Sequence, residues 1–302
     1  MRNNQKVYVL AALIVACCSF IQMTKFKKQK RVLPKEIRDH WSFIPAGKAV
    51  FSGDTAQVEE FYMATGEVTN AEYRAFLKSI ESNADLLKNC LVDSNVWLRG
   101  LKYGDIFKKH YYSHPAYSPY PVVGITYEAA LAYCQWVEIE IQAQMGSDYD
   151  VSCKLPTQHE WLRAARGDRH SFVYTWGGPY IRNAQGCVLC NYCMVGDESV
   201  SRGIGQSEVE IHDVNFLGVA GHLNDNADIL APSFAYAPTE FGCMNMNGNA
   251  AEILEGGQTV AGGSWRNTGY DVRCESTMPY SGPTEYVGFR PMLRIKLKNP
   301  SL

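Results

Sequence analysis

Cys187-Val188-Leu189-Cys190-Asn191-Tyr192-Cys193 sets three sulfurs at three-residue spacing. Thiolates spaced this way are soft metal ligands, as in zinc knuckles and part of some iron–sulfur motifs, or they oxidise to a disulfide. A zinc ion would need a fourth ligand, for which Cys153 and Cys243 are the candidates. A disulfide within the run, or from it to Cys153 or Cys243, is the leading expectation; buried thiols are the remaining reading. His110 and His114 stand four apart, as helical metal ligands can, but Pro115 and the loop-like composition argue against a helix there. Residues 239–265 combine a glycine-punctuated turn, Asn245, Asn247, Asn249 and Glu252, and the tetrad Gly262-Gly263-Ser264-Trp265. The plain reading of the asparagines is that they satisfy turns and left-handed positions. Ser264 has no nucleophile-elbow context and no apparent His/Asp partner, so core packing is its plain reading. The first thiol after the tetrad is Cys274.

The elements that must position these groups are legible in part. Trp41-Ser42-Phe43-Ile44 and Phe61-Tyr62-Met63 read as strands. Thr69 with Glu72 three residues later is a capping box, followed by the apolar stripe Tyr73, Phe76, Leu77 and Ile80. Residues 82–120 are poorly patterned. Thr126 is the expected cap of a helix carrying Ala129, Ala130, Tyr133, Cys134 and Val137 on one face, which makes Cys134 a core residue rather than a chemical one. Thr157 and Glu160 form a second capping box, and Gly167 is the expected stop of that helix. His159 reads as surface or capping. No internal repeat and no second domain are apparent.

The chain has 302 residues, 46% of them hydrophobic, enough for a sizeable core. Its net charge of −2 argues against a nucleic-acid partner. Arg2 and Lys6 precede a short apolar run over residues 7–16, too short to span a bilayer. Ile14-Val15-Ala16-Cys17 is similar to a bacterial lipobox, implying cleavage before Cys17 and lipidation on it; an uncleaved anchor is the alternative. The basic run Lys25, Lys27, Lys28, Lys30 and Arg31 suits an anionic membrane surface or a solvated tether. An envelope location is oxidising, so the ten cysteines can pair, in a connectivity that sequence does not determine.

Several blocks together carry a family resemblance: EVTNAEYRAFL from Glu67, PVVGIT from Pro121, KLPT from Lys154 through to AARG, YTWGG from Tyr174, the stretch ending in GGSW, and VGFR from Val287. In this order they resemble the formylglycine-generating enzymes, the sulfatase-modifying factors, over about residues 41–295, with an insertion around 195–222. The resemblance implies an irregular, loop-rich α+β fold, C-type-lectin-like, in a single domain at 41–298, after a signal peptide at 1–16 and a tether at 17–40. In catalytic members a redox-active cysteine pair follows GGSW. Here Asn267 and Val272 take those positions, so the resemblance implies a scaffold without catalysis and without copper. It also implies structural calcium at two sets: Asn245, Gly248, Ala250 and Glu252; and Asn191, Tyr192, Asp225 and Ala227. A vestigial groove would involve Ser264, Trp265, Asn267 and Arg290. Trp176-Gly177-Gly178-Pro179-Tyr180-Ile181-Arg182-Asn183, with Gly186-Cys187, Leu189 and Asn191, is similar to the non-catalytic lipoproteins of gliding motility and type IX secretion. That similarity implies a docking component held by lipid in the bacterial cell envelope, at the outer membrane facing the periplasm, with other envelope subunits as partners. Two alternatives stand: an oxidase with a rearranged thiol such as Cys274, and a peptide- or glycan-binding module.

Overall fold

The computed structural model describes residues 33–193, 200–201, 210–211, 227 and 229–298. Cys17 and Asp225 lie outside them. Up to Asp39 the described part is one helical turn, α1 (Lys35–Arg38), where the Pro34 carbonyl accepts from the amides of Ile37 and Arg38. His40–Leu302 forms its own compact unit.

The main sheet of that unit is antiparallel, in the order β1 (Trp41–Ile44), β4 (Phe61–Ala64), β12 (Met292–Leu297), β5 (Tyr149–Lys154). Met292 lies opposite Met63 on one side and Lys154 on the other, so the last strand is wedged between elements distant in sequence. Both strands read from sequence are present. Between them lies a hairpin that had no strong sequence signal, β2 (Gly47–Phe51) and β3 (Asp54–Val58). It closes through Ser52 and Gly53, both at positive φ (49° and 85°), as a two-residue turn matched to strand twist requires. β6 (Val200–Ser201) and β7 (Glu210–Ile211) pair as a short ribbon. A second sheet runs β10 (Thr277–Pro279), β9 (Thr259–Ala261), β8 (Ala251–Ile253), β11 (Val287–Gly288), with β11 parallel to β8. No closed barrel is formed among the described residues.

Both capping boxes are formed. Thr69 and Glu72 start α2 (Asn70–Ser79), and Thr157 and Glu160 start α7 (Gln158–Arg166), which stops at Gly167 with φ 61°. Thr126 caps the long α6 (Tyr127–Met145). No described helix is long and apolar enough to cross a membrane. The poorly patterned region folds into α3 (Ala84–Cys90), α4 (Val96–Gly100), α5 (Asp105–His110) and a 3-10 turn at Pro115–Tyr117. The expectation of no helix near His110 is therefore corrected. These helices are too short to show a period, and an aromatic cluster holds α4 and α5: the Trp97 and Tyr111 rings sit 4.7 Å apart, with Phe107, Tyr117 and Tyr120 around them. The central core lies between the main sheet and α7, where Ile44, Phe61 and Met63 meet Trp161, Met246 and Met292.

Candidate functional site

The loop from Asn245 to β8 is folded by its own asparagines. Asn245 and Asn249 adopt left-handed backbone (φ 56° and 63°), and Gly248 lies between them at φ 74°. A Cβ on Gly248 would fall 2.1 Å from the Asn191 carbonyl oxygen, so that position admits glycine alone. Asn245 donates to Glu67 Oε2 and to the Pro232 carbonyl, and accepts from the Tyr236 amide. Asn247 accepts from the Thr175 amide and donates to the Val272 carbonyl. Asn249 donates to Glu67 Oε1 at 2.8 Å and accepts from the Ala231 amide. The plain reading of these asparagines thus holds, and they knit four distant segments together.

Beneath them lies a buried charge cluster. Glu252 Oε1 is 2.7 Å from the Arg290 guanidinium, and Glu252 Oε2 accepts from the Trp161 indole N–H at 2.7 Å. The other Arg290 donors reach the carbonyls of Ala64, Thr65 and Met244. Burial pushes the Glu67 carboxyl up to about 8, Arg290 pulling it back and Glu252 pushing it further. Sequence reasoning passed over Glu67; its signal was a charged residue beside Val68 at the head of the EVTN motif. Arg290, expected in a groove, is a fully buried core residue.

Asn245, Gly248 and Ala250 lie in the loop that leads into β8, which carries Glu252. Asn245 Oδ1 accepts one hydrogen bond, while Glu252 Oε1 faces both Nε and Nη2 of Arg290 and its Oε2 accepts from the Trp161 indole. An amide oxygen, a carboxylate and two backbone carbonyls are hard donors, so the set fits calcium in donor type. In the second set, the Asn191 amide donates to the Ile229 carbonyl and to Asn249 Oδ1, and its carbonyl accepts from the Asn249 amide. Its expected partner Asp225 is outside the described residues.

The GGSW turn runs through Gly262 and Gly263 at φ 84° and 66°. Ser264 is buried and donates to Asn267 Oδ1 at 2.5 Å, while Asn267 Nδ2 lies 3.1 Å from Met278 Sδ. Val272 is buried against Tyr174 and Cys190. Cys274 is fully buried, with Asn247 Nδ2 3.6 Å from its sulfur. Burial raises its thiol pKa, with Asn247 and Arg166 only partly opposing. A buried, protonated thiol is a poor nucleophile. Trp265 packs in the core and holds Arg266 over its ring, so the tetrad does not form a groove wall.

The groove lies beside it. A cavity of about 600 Å³ is lined by Val173, Tyr174, Pro179, Tyr180, Ile181, Arg182, Tyr192, Gly269, Tyr270 and Arg273. Tyr180 and Tyr270 are 75% and 68% exposed, and Arg273 stacks on Tyr270 at 3.4 Å. Tyr192 thus lines a groove that sequence reasoning placed elsewhere.

Of the three-cysteine run, Cys187 is exposed, Cys190 is buried, and the Cys193 amide donates to the Asn267 carbonyl at 2.8 Å. Cys243 is buried beside Ser42 and Thr239, where burial pushes its thiol up to about 11. Cys153 lies beside Cys134. The His110 and His114 rings meet edge-on at 6.1 Å. Among the described residues no group of three His, Cys, Asp or Glu side chains is placed to hold a metal ion. His159 sits against the β2–β3 turn, 3.5 Å from Asp54.

Three comparisons bear on this arrangement. The family described as "Sulfatase-modifying factor enzyme 1-like domain" matches residues 28–295. A formylglycine-generating enzyme of Thermomonospora curvata is 29% identical over 133 residues, covering 44% of this chain and 32% of that protein. One of Bos taurus is 24% identical over 252 residues, covering 72% of this chain and 58% of that protein. The chain thus spans less than two thirds of both curated relatives. Treponema denticola variable protein 1 has the same fold, with a TM-score of 0.51 at 15% identity over 84% of this chain and 94% of that one.

Proposed function

This chain belongs to the sulfatase-modifying factor enzyme 1-like domain family, and we propose that it is a non-catalytic member, a docking protein of the bacterial cell envelope. The reading rests on the resemblance, by which Asn267 and Val272 take the positions of the redox pair, and one observation carries it: nearby Cys274 is fully buried. No thiolate is thereby offered to a soft metal or to oxygen at those positions.

In this reading the groove beside the GGSW turn is a docking surface for an extended segment of a partner subunit. Tyrosine and arginine are the side chains that dominate protein interfaces, and both face this groove. The anchor is a lipid on Cys17, with the basic tether against anionic headgroups. The outer membrane facing the periplasm and a role related to gliding motility or type IX secretion belong to the same proposal. Calcium, held by Asn245 and Glu252 with the carbonyls of Gly248 and Ala250, would supply structural cross-linking.

The competing reading, an oxidase with a rearranged thiol, has one observation in its favour. Cys193 bonds to Asn267 and Cys190 packs on Val272, so two sulfur-bearing residues border the two positions that lost theirs. One experiment separates the readings. The purified chain is given Cu(I), oxygen and a thiol-bearing peptide, and compared with C190S/C193S and C274S. Oxygen uptake equal to a protein-free blank is expected in all of them; turnover above the blank that C190S/C193S or C274S abolishes overturns the non-catalytic reading. In cross-linked native membranes, Y270A/R273E is expected to lose co-purifying envelope subunits while the Tm holds. Retention of those subunits removes the groove as the docking surface.

A further inference from the structure

The groove beside the GGSW turn has a sign of charge as well as a shape. Two stretches of chain form its walls, and each supplies one exposed tyrosine and one arginine. Tyr180 and Arg182 stand on the first, Tyr270 and Arg273 on the second. On the first wall the Leu189 amide donates to the Ile181 carbonyl at 2.9 Å, and the Trp176 indole N–H donates to the Tyr180 carbonyl at 2.8 Å. On the second, the amides of Asp271 and Val272 both donate to the Thr268 carbonyl. The Tyr174 hydroxyl donates to the Gly269 carbonyl at 2.7 Å and ties the walls together. The groove is therefore shaped before anything enters it, which lowers the ordering cost of binding.

The chain's net charge is −2, yet among the described residues no carboxylate lines this groove, while Arg182 and Arg273 do. Arg273 is held in place: its Nε donates to the Tyr270 carbonyl at 2.7 Å, and its guanidinium lies 3.4 Å from the centre of the Tyr270 ring. Its terminal N–H groups have no acceptor among the described residues. A fixed guanidinium fork matches the two oxygens of a carboxylate. Tyrosine faces add apolar contact at little cost in side-chain freedom. Taking this groove to be the docking surface, we propose that its partner segment is acidic: an extended peptide in which aspartate or glutamate stands beside an aromatic or aliphatic residue. The carboxylate seats on the Arg273 fork, and the neighbouring side chain packs on the tyrosines. Because each wall offers the same pairing of cation and ring, a stretch that repeats acidic and apolar side chains meets both. A sugar acid carries its carboxylate on a polar ring instead.

The test pans the purified full chain with a phage-displayed library of random dodecapeptides, and the selected peptides are synthesised for fluorescence-anisotropy titration. Enrichment of Asp or Glu next to an aromatic or aliphatic residue is expected. Replacing the acid by its amide is expected to weaken binding about tenfold, and R182Q/R273Q to do the same. The two losses together are expected to be smaller than their sum, because they remove one interaction. Acidic peptides that bind R182Q/R273Q as tightly as the unaltered chain overturn the proposal. Enrichment of neutral or basic peptides that Y270A/R273E releases overturns the acidic class and leaves the groove as the docking surface. With no peptide enriched, or with only uronic- or sialic-acid glycans bound on an array, the proposal falls; co-purification of envelope subunits with Y270A/R273E then decides the docking reading by itself. If R182Q/R273Q does not fold, the acid-to-amide peptide pair on the unaltered chain decides alone.

Discussion

Glu252 and Arg290 are buried together 2.7 Å apart, each with its remaining capacity met by Trp161 or by backbone carbonyls. Removing one partner strands a charge in a medium that cannot solvate it. R290M is therefore expected to lower stability by about 3–5 kcal/mol, read from the urea midpoint, and a loss under 1 kcal/mol would deny the pair its structural role. Glu160 gives a pH signature. Burial alone would raise its carboxyl, but the Thr157 amide, Lys154 and Arg294 outweigh it and hold the group below the usual carboxylate range. Its contribution is thus present above the unfolded carboxylate value, about 4.3, and is lost as pH falls through the lower folded value. E160Q is expected to be less stable than the unaltered chain by about 1 kcal/mol at pH 7, with the gap closing as pH falls below the usual carboxylate range. A gap independent of pH would assign the effect to packing.

At the scale of elements, capping chemistry and tertiary packing divide the work. α2 and α7 begin at complete capping boxes, so T69A is expected to cost about 1 kcal/mol in a urea melt. A T69A variant melting like the parent would show that helix docking alone sets the end of α2. These ends, and the Gly167 stop, were readable because caps are local. The helices at Ala84–Cys90, Val96–Gly100 and Asp105–His110 were not readable. Each is near one or two turns long, below the length at which periodicity shows, and the latter two are held by aromatic contacts made across sequence. The β2–β3 hairpin escaped notice for a related reason: its Ser-Gly turn is a weaker signal than Asn-Gly, and its strands alternate poorly.

At the scale of the molecule, residues 40–302 are tied together by polar clips between distant segments rather than by long regular elements. If calcium adds to those clips, EGTA is expected to lower the Tm of the unaltered chain by several degrees and that of N245A/E252Q by less. An unchanged Tm on chelation would leave the asparagine and arginine bonds as the only cross-links there. The order of motifs from Glu67 to Arg290, the two capping boxes and the displaced thiol positions could all be read before any coordinates, because they depend on residue identity and short spacing. Which groups meet could not. Glu67 reaches Asn245 and Asn249, Arg290 goes to the core instead of a groove, and Tyr270 and Arg273 build the groove. Those meetings join positions far apart along the chain through close packing and buried hydrogen bonds, and no local pattern encodes them.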